Sequence, residues 1–138
     1  MKNRICIRTL LACSFLLGGL CLVMGADEKV EHTKDSLETV KNNLHERKAI
    51  LLDVREKNEW EAGHLEQAVL APLSKLTAGK DPKELVKGLD TKKIVYCHCR
   101  AGKRAISAAE ILKKMGYDVR PLKQGYEELL EAGLPKSK

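Results

Sequence analysis

Short unbroken apolar runs alternate along this chain with segments whose apolar positions recur at helical spacing. The runs are Ala49-Ile50-Leu51-Leu52-Asp53-Val54, Ala68-Val69-Leu70-Ala71-Pro72, Ile94-Val95-Tyr96-Cys97 and Tyr117-Asp118-Val119-Arg120-Pro121-Leu122. They are of strand length, and an unbroken run such as the first is what a strand covered on both faces requires. The helical segments carry their own punctuation. Leu37, Val40 and Leu44 follow Ser36, an N-cap residue type, with Thr39 where a capping box would place an acid. Residues 56–62 read as a short helix closed by Gly63. Asp81-Pro82 opens another, with Asp as N-cap and Pro at the first helical position. Residues 103–115 are the strongest helix, with Ile106, Ala109, Ile111, Leu112 and Met115 as its apolar face and Gly116 as its stop. Residues 126–132 form a last helix ended by Gly133 and Pro135. Residues 27–34 are charged and read as a loose lead-in with a short edge strand near Val30. Strands alternating with helices predict an α/β fold: a small parallel sheet with helices on both faces, which binds ligands at the carboxyl ends of its strands.

The first 26 residues have a different pattern. Lys2, Arg4 and Arg8 precede a run that is apolar or small from Leu10 to Met24 except for Ser14, and Gly25-Ala26 then gives way to Asp27-Glu28-Lys29. This is the layout of a secretory signal peptide cut after Ala26 or Gly25. It predicts export, to the periplasm, with no membrane attachment after cleavage. An uncut segment would anchor the protein instead, although the run is shorter than the roughly 20 residues a spanning helix needs. Leu10-Leu11-Ala12-Cys13 is a weak lipobox whose use would leave an apolar mature N-terminus. Cleavage at Ala26 lowers the formal charge from +6 to +3 and leaves 112 residues. So mild a charge, in a chain with 4% aromatic residues, gives no platform for nucleic acid.

Cleavage also removes Cys6, Cys13 and Cys21, leaving Cys97 and Cys99. Two cysteines two residues apart make neither a disulfide framework nor a zinc site, so neither metal nor cofactor is expected. Cys99 opens Cys99-Arg100-Ala101-Gly102-Lys103-Arg104, between the third strand and the strongest helix. There it meets free backbone N–H groups, the positive end of a helix dipole and three cationic side chains. All favour the thiolate, which is the nucleophile, and the same cradle suits an anion. Cys97 reads as a small buried apolar residue, or as a resolving thiol, since residues i and i+2 of a strand point to one side.

These residues carry a family resemblance. Leu52-Asp53-Val54-Arg55-Glu56, the stretch from Glu59-Trp60 through Gly63-His64 to Gln67-Ala68, Tyr96 to Ala105, and Gln124-Gly125-Tyr126 with Ala132-Gly133-Leu134-Pro135 resemble, in order and spacing, the conserved blocks of single-domain rhodaneses. The domain then runs over residues 36–135, behind a charged lead-in at 27–35. Gln67 and Gln124 stand where the family has glycine, Leu130 where tryptophan is common, and Ala105 where serine is common.

The resemblance implies a thiosulfate sulfurtransferase. Cys99 takes a sulfane sulfur from a small anionic donor and passes it, through a persulfide, to a thiol, cyanide or a sulfur-acceptor protein. Arg100, Ala101, Gly102, Lys103 and Arg104 bind the donor, and Asp53 and Arg55 support the loop from a neighbouring strand end. The simpler reading of Asp53 and Arg55 is a structural ion pair, of His64 a hydrogen-bonded structural residue, and of Trp60 a packing residue. His98 precedes the nucleophile, with its side chain expected to point away from Cys99. Two alternatives stand: a sulfur-carrier or binding module with little turnover, and a cysteine phosphatase or arsenate reductase. The His98-Cys99…Gly102…Arg104 pattern resembles the phosphatase signature, but four residues separate cysteine from arginine where phosphatases have five. The shorter loop suits a sulfur atom better than a phosphate.

Overall fold

A computed structural model describes residues 29–78 and 82–138; the signal-peptide reading and the proposed cap Asp81 fall outside them. Ten elements follow one another: α1 (Leu37–His45), β1 (Ala49–Asp53), α2 (Lys57–Ala62), β2 (Ala68–Leu70), α3 (Leu73–Thr77), α4 (Pro82–Val86), β3 (Ile94–His98), α5 (Lys103–Lys114), β4 (Asp118–Pro121) and α6 (Tyr126–Glu131). The four strands form one parallel sheet in the order β2-β1-β3-β4. None of the described helices is long and apolar enough to cross a membrane.

The unbroken apolar runs arise because two separate cores cover the sheet. Leu52 and Val54 of the first run join Val95, Cys97, Cys99 and the alanines of α5 on one face. Ala49 and Leu51 join Tyr96, Val40, Leu44 and Leu129 on the other. The alternation follows from the two-residue period of the strand. On α5 the fully covered residues are Ala105, Ala108, Ala109 and Leu112, while Ile106, Ile111 and Met115 pack at the margin. Small residues at the centre of this face bring the helix close to the sheet. Gly116 takes φ +91°, a conformation in which glycine alone is unstrained, and ends the helix where expected.

Three expectations need correction. Residues 29–36 form no strand near Val30 and are not loose. Val30 is buried in the first core, the Thr33 N–H donates to the Pro121 carbonyl at 2.8 Å, and Asp35 accepts from Tyr96 at 2.6 Å and from Arg120 at 3.0 Å. The tyrosine bond is the chief reason the Asp35 carboxyl lies below its ordinary range. The second strand stops at Leu70, because Pro72 caps a helix, α3, that its sequence does not announce. That helix has five residues and buries only Leu76, too little for a periodic pattern; its start is held by Ser74 donating to Glu56 at 2.6 Å. Ser36 caps α1 as expected, accepting from the Thr39 N–H at 3.1 Å.

Candidate active site

Asp53 and His98 are paired residues at the carboxyl ends of β1 and β3, so the segments that follow them leave the sheet side by side. Cys99 begins the second of these. Its residue is 1% exposed, at the base of the loop that runs to Gly102 and into α5. Among the described residues, the N–H groups of residues 100, 101, 102, 104 and 105 donate to no backbone or side-chain acceptor. The Lys103 N–H turns back to the Ala101 carbonyl at 3.0 Å. Five free donors in the segment that follows Cys99, the last two in the first turn of a 12-residue helix, favour negative charge at this end of the sheet.

The loop is held from outside by residues that its own sequence does not indicate. The Tyr126 N–H donates to the Cys99 carbonyl at 3.0 Å, and His32 Nε2 lies 3.3 Å from the Gly102 carbonyl. Gly102 has φ +79°, and a Cβ there would lie 2.8 Å from both His32 Nε2 and the Lys123 carbonyl. A Cβ at Gly125 would sit 1.8 Å from the Arg100 carbonyl oxygen. The Gln124-Gly125-Tyr126 turn is thus a close-fitting lid over the back of the loop.

The predicted cations divide into two groups. Arg100 and Lys103 are exposed and without an ion pair among the described residues. Arg104 makes a bidentate pair with Glu59, at 2.6 and 2.9 Å, and both are about a quarter to a third exposed. The hydrogen bond from Arg104 outweighs partial burial and holds the Glu59 carboxyl at about 2, against its ordinary 4.5. Glu59 in turn is the main cause that raises the Arg104 guanidinium, and the neighbouring Cys99 side chain acts in the same direction. Arg104 therefore ties α2 to the loop and still faces the thiol. A carboxyl with a depressed pKa stabilises the fold above its unfolded value, and that contribution disappears as pH falls from 4.5 towards 2. Glu59→Gln is expected to cost about 1 kcal/mol at pH 7 in urea unfolding, and the gap to wild type should close at about pH 2. A gap that does not change with pH would contradict the pairing.

Asp53 and Arg55 form a buried ion pair. Arg55 Nη2 reaches Asp53 Oδ2 at 2.6 Å and the Gly63 carbonyl at 2.9 Å, and its guanidinium stacks 4.1 Å over the Tyr126 ring. The pair braces the β1 end against Tyr126 of α6, whose N–H holds the Cys99 carbonyl. His98 lies on this side of the sheet, away from Cys99. It is fully buried, with Nε2 at 3.6 Å from Asp53 and no hydrogen-bond partner for either ring nitrogen among the described residues. Burial pushes the imidazole down, against the pull of Asp53, so it stays neutral. Cys97 is on the Cys99 side, fully buried, and both thiols are free. Burial, with the Cys99 charge adding to it, pushes the Cys97 thiol up, so it remains protonated at neutral pH. His64 Nδ1 donates to the Trp60 carbonyl at 3.1 Å and its ring stacks on that of Trp60 at 3.7 Å, a local clasp that closes α2.

The chain is a parallel α/β domain with a buried cysteine at the base of the loop after a strand's carboxyl end. Residues 36–132 match the rhodanese-like domain model, and the chain belongs to that family. It is 40% identical over 83 residues to YqhL of Bacillus subtilis, covering 59% of this chain and 61% of that protein. It is 30% identical over 79 residues, 52% of this chain and 56% of the other, to a mitochondrial protein of Schizosaccharomyces pombe provisionally assigned as a thiosulfate sulfurtransferase. The chain thus spans about three-fifths of the length of these relatives. Among solved structures it is similar to the human single-domain sulfurtransferase TSTD1, with a TM-score of 0.60 and 26% identity over 70% of this chain and 94% of that one. A rhodanese-related protein of Thermoplasma volcanium gives a TM-score of 0.59 and 26% identity over 73% and 93%.

Proposed function

We propose that this protein is a sulfurtransferase that carries a sulfane sulfur on Cys99, between a small anionic donor such as thiosulfate and a thiophilic acceptor. The observation that carries this reading is a buried thiol at a strand's carboxyl end, followed directly by five unbonded N–H groups and by Arg104 after four residues. The Cys99 thiolate attacks the outer sulfur of thiosulfate; a new S–S bond forms, the S–S bond of thiosulfate breaks, and sulfite leaves with its electron pair. The terminal sulfur of the Cys99 persulfide then carries the negative charge, which the free amides and the α5 dipole stabilise. Arg100 and Lys103 draw in the donor, Ala101 and Gly102 supply N–H groups, and Arg104 shapes the cradle while held by Glu59. Asp53 and Arg55 act as positioning residues.

Cys99 is almost wholly covered, so the reacting group must be narrow. A single transferred sulfur fits this better than a tetrahedral phosphate. The signal-like N-terminus supports export to the periplasm, with membrane anchoring if the segment is retained. The acceptor is a thiol, cyanide or an acceptor protein. Thiocyanate formation from thiosulfate and cyanide at about 1 s⁻¹ or faster, with no hydrolysis of an aryl phosphate, is the expected result for an enzyme. Persulfide formation without turnover would identify a carrier module, and aryl phosphate hydrolysis without persulfide would refute the sulfur-transfer reading.

A further inference from the structure

A cleft of about 360 Å³ borders the Cys99 loop, and the transfer of a lone sulfur atom to cyanide makes no use of it. Arg100, the residue after Cys99, forms one side; Arg55, Gly63, Tyr126, Leu130 and Lys136 form most of the rest. Three hydrogen-bond donors converge at Gly63. Arg55 Nη2 donates to the Gly63 carbonyl at 2.9 Å. A Cβ on Gly63 would lie 2.8 Å from the Tyr126 hydroxyl and 3.3 Å from Lys136 Nζ. Lys136 is held there by its backbone: the tail pairs with residues 64–66 through the Leu65–Lys136 bridge and the Glu66 N–H to Pro135 carbonyl bond at 2.9 Å.

Two of these three donors, the Tyr126 hydroxyl and Lys136 Nζ, have no acceptor among the described residues. Tyr126 is 8% exposed, and its buried hydroxyl has no partner. Arg55 commits Nε and Nη2 to Asp53 and Gly63, which leaves Nη1 without a bond. The Tyr126 hydroxyl is a buried donor without an acceptor, which is costly, and a bound oxygen removes that cost. The charge balance favours an anion. Asp53 offsets Arg55, and Arg104 offsets Glu59, which also lines the cleft. Arg100 and Lys136 then face Glu127 alone, an excess of positive charge. Leu130 and Ala62 add an apolar wall.

We infer that this cleft seats the carboxylate of a small organic thiol, which is the sulfur acceptor. The inference rests on the Cys99 persulfide proposed above. The volume lies at the lower end of small-molecule pockets, about 300–1,000 Å³, which is larger than cyanide or sulfite would need. Thiosulfate has its own place at the loop amides. With the carboxylate on Tyr126, Lys136 and Arg55, the acceptor's chain lies along Leu130 and its thiolate points past Arg100 to the loop. The thiolate attacks the outer sulfur of the Cys99 persulfide. An S–S bond forms on the acceptor, the S–S bond to Cys99 breaks, and Cys99 leaves as a thiolate, with no external oxidant or reductant.

The test compares mercaptopropionate with its uncharged analogue mercaptopropanol, at equal thiolate concentration and with thiosulfate as donor. For wild type, kcat/KM is expected to favour the carboxylate by at least about tenfold. In Tyr126→Phe and in Lys136→Gln that ratio should fall towards one; because it is a ratio within each variant, a change in overall activity does not affect it. Lys136 is exposed, so its variant remains informative if Tyr126→Phe folds poorly. A wild-type ratio near one, or a ratio unchanged in both variants, while the persulfide forms normally, overturns the acceptor site alone. Failure of wild type to gain sulfur from thiosulfate overturns the persulfide reading, and the acceptor site with it.

Discussion

Cys99→Ser is expected to abolish thiocyanate formation from thiosulfate, a loss of at least about 10³-fold, because no other residue in the cradle can hold the sulfur. A hydroxyl in place of the Cys99 thiol is far less nucleophilic than a thiolate. Cys97→Ser supplies the contrast. Cys97 lies two residues away on the same side of the sheet, but it is sealed into the core and its thiol is pushed up by burial. A protonated thiol is a poor nucleophile. Cys97→Ser should therefore retain sulfur uptake. It should lose stability instead, by about 1–3 kcal/mol, since it places a hydroxyl among apolar neighbours. Oxidised wild-type protein should show no Cys97–Cys99 disulfide on peptide mapping. Finding that bond, or loss of turnover in Cys97→Ser, would make Cys97 a resolving thiol.

Gly125→Ala is the second large effect, and it acts from outside the loop. The added methyl carbon would stand 1.8 Å from the Arg100 carbonyl oxygen and 2.6 Å from its carbon. Both are backbone atoms, so no side-chain rotation relieves the clash. Either α6 or the Cys99 loop must move. Moving α6 strains the second core through Tyr126 and Leu129, and moving the loop disperses the amides. A shift on the order of 1 Å at a reacting centre costs about 10²-fold, and overpacking adds about 1–3 kcal/mol of instability. Gly88→Ala is the control, since a Cβ there meets nothing within 4 Å. It should change stability by no more than about 0.5 kcal/mol and leave turnover intact. Equal behaviour of the two variants would contradict the role given to the Gln124-Gly125-Tyr126 turn.

The contrast between Cys99 and Gly125 shows what the sequence makes legible. The strands at Ala49–Asp53 and Ile94–His98, the Ser36 cap and the Gly116 stop depend on neighbours in the chain, and local periodicity exposes them. Cys99 is legible for the same reason: strand, basic loop and helix are contiguous. The supports of the loop are not. Glu59 meets Arg104 across 45 positions and His32 meets Gly102 across 70, and no spacing rule connects such pairs. Glu59 had a signal nonetheless, because it sits in one of the ordered blocks with Gly63 and His64. His32 had none, lying in a charged stretch that reads as loose. The cleft is equally hidden, since Arg55, Gly63, Tyr126 and Lys136 come from four separate segments. Gly63 looks like a helix stop in the sequence; the structure gives it a second reason, the close approach of the Tyr126 hydroxyl.

The central claim is that Cys99 accepts sulfur. Intact mass spectrometry of the protein after brief exposure to thiosulfate tests it most directly, followed by peptide mapping and then by cyanide. The account predicts a gain of one sulfur atom per chain, located on Cys99 and removed by cyanide with release of thiocyanate. No gain in mass from reduced, folded protein, or a sulfur located on Cys97, would contradict it.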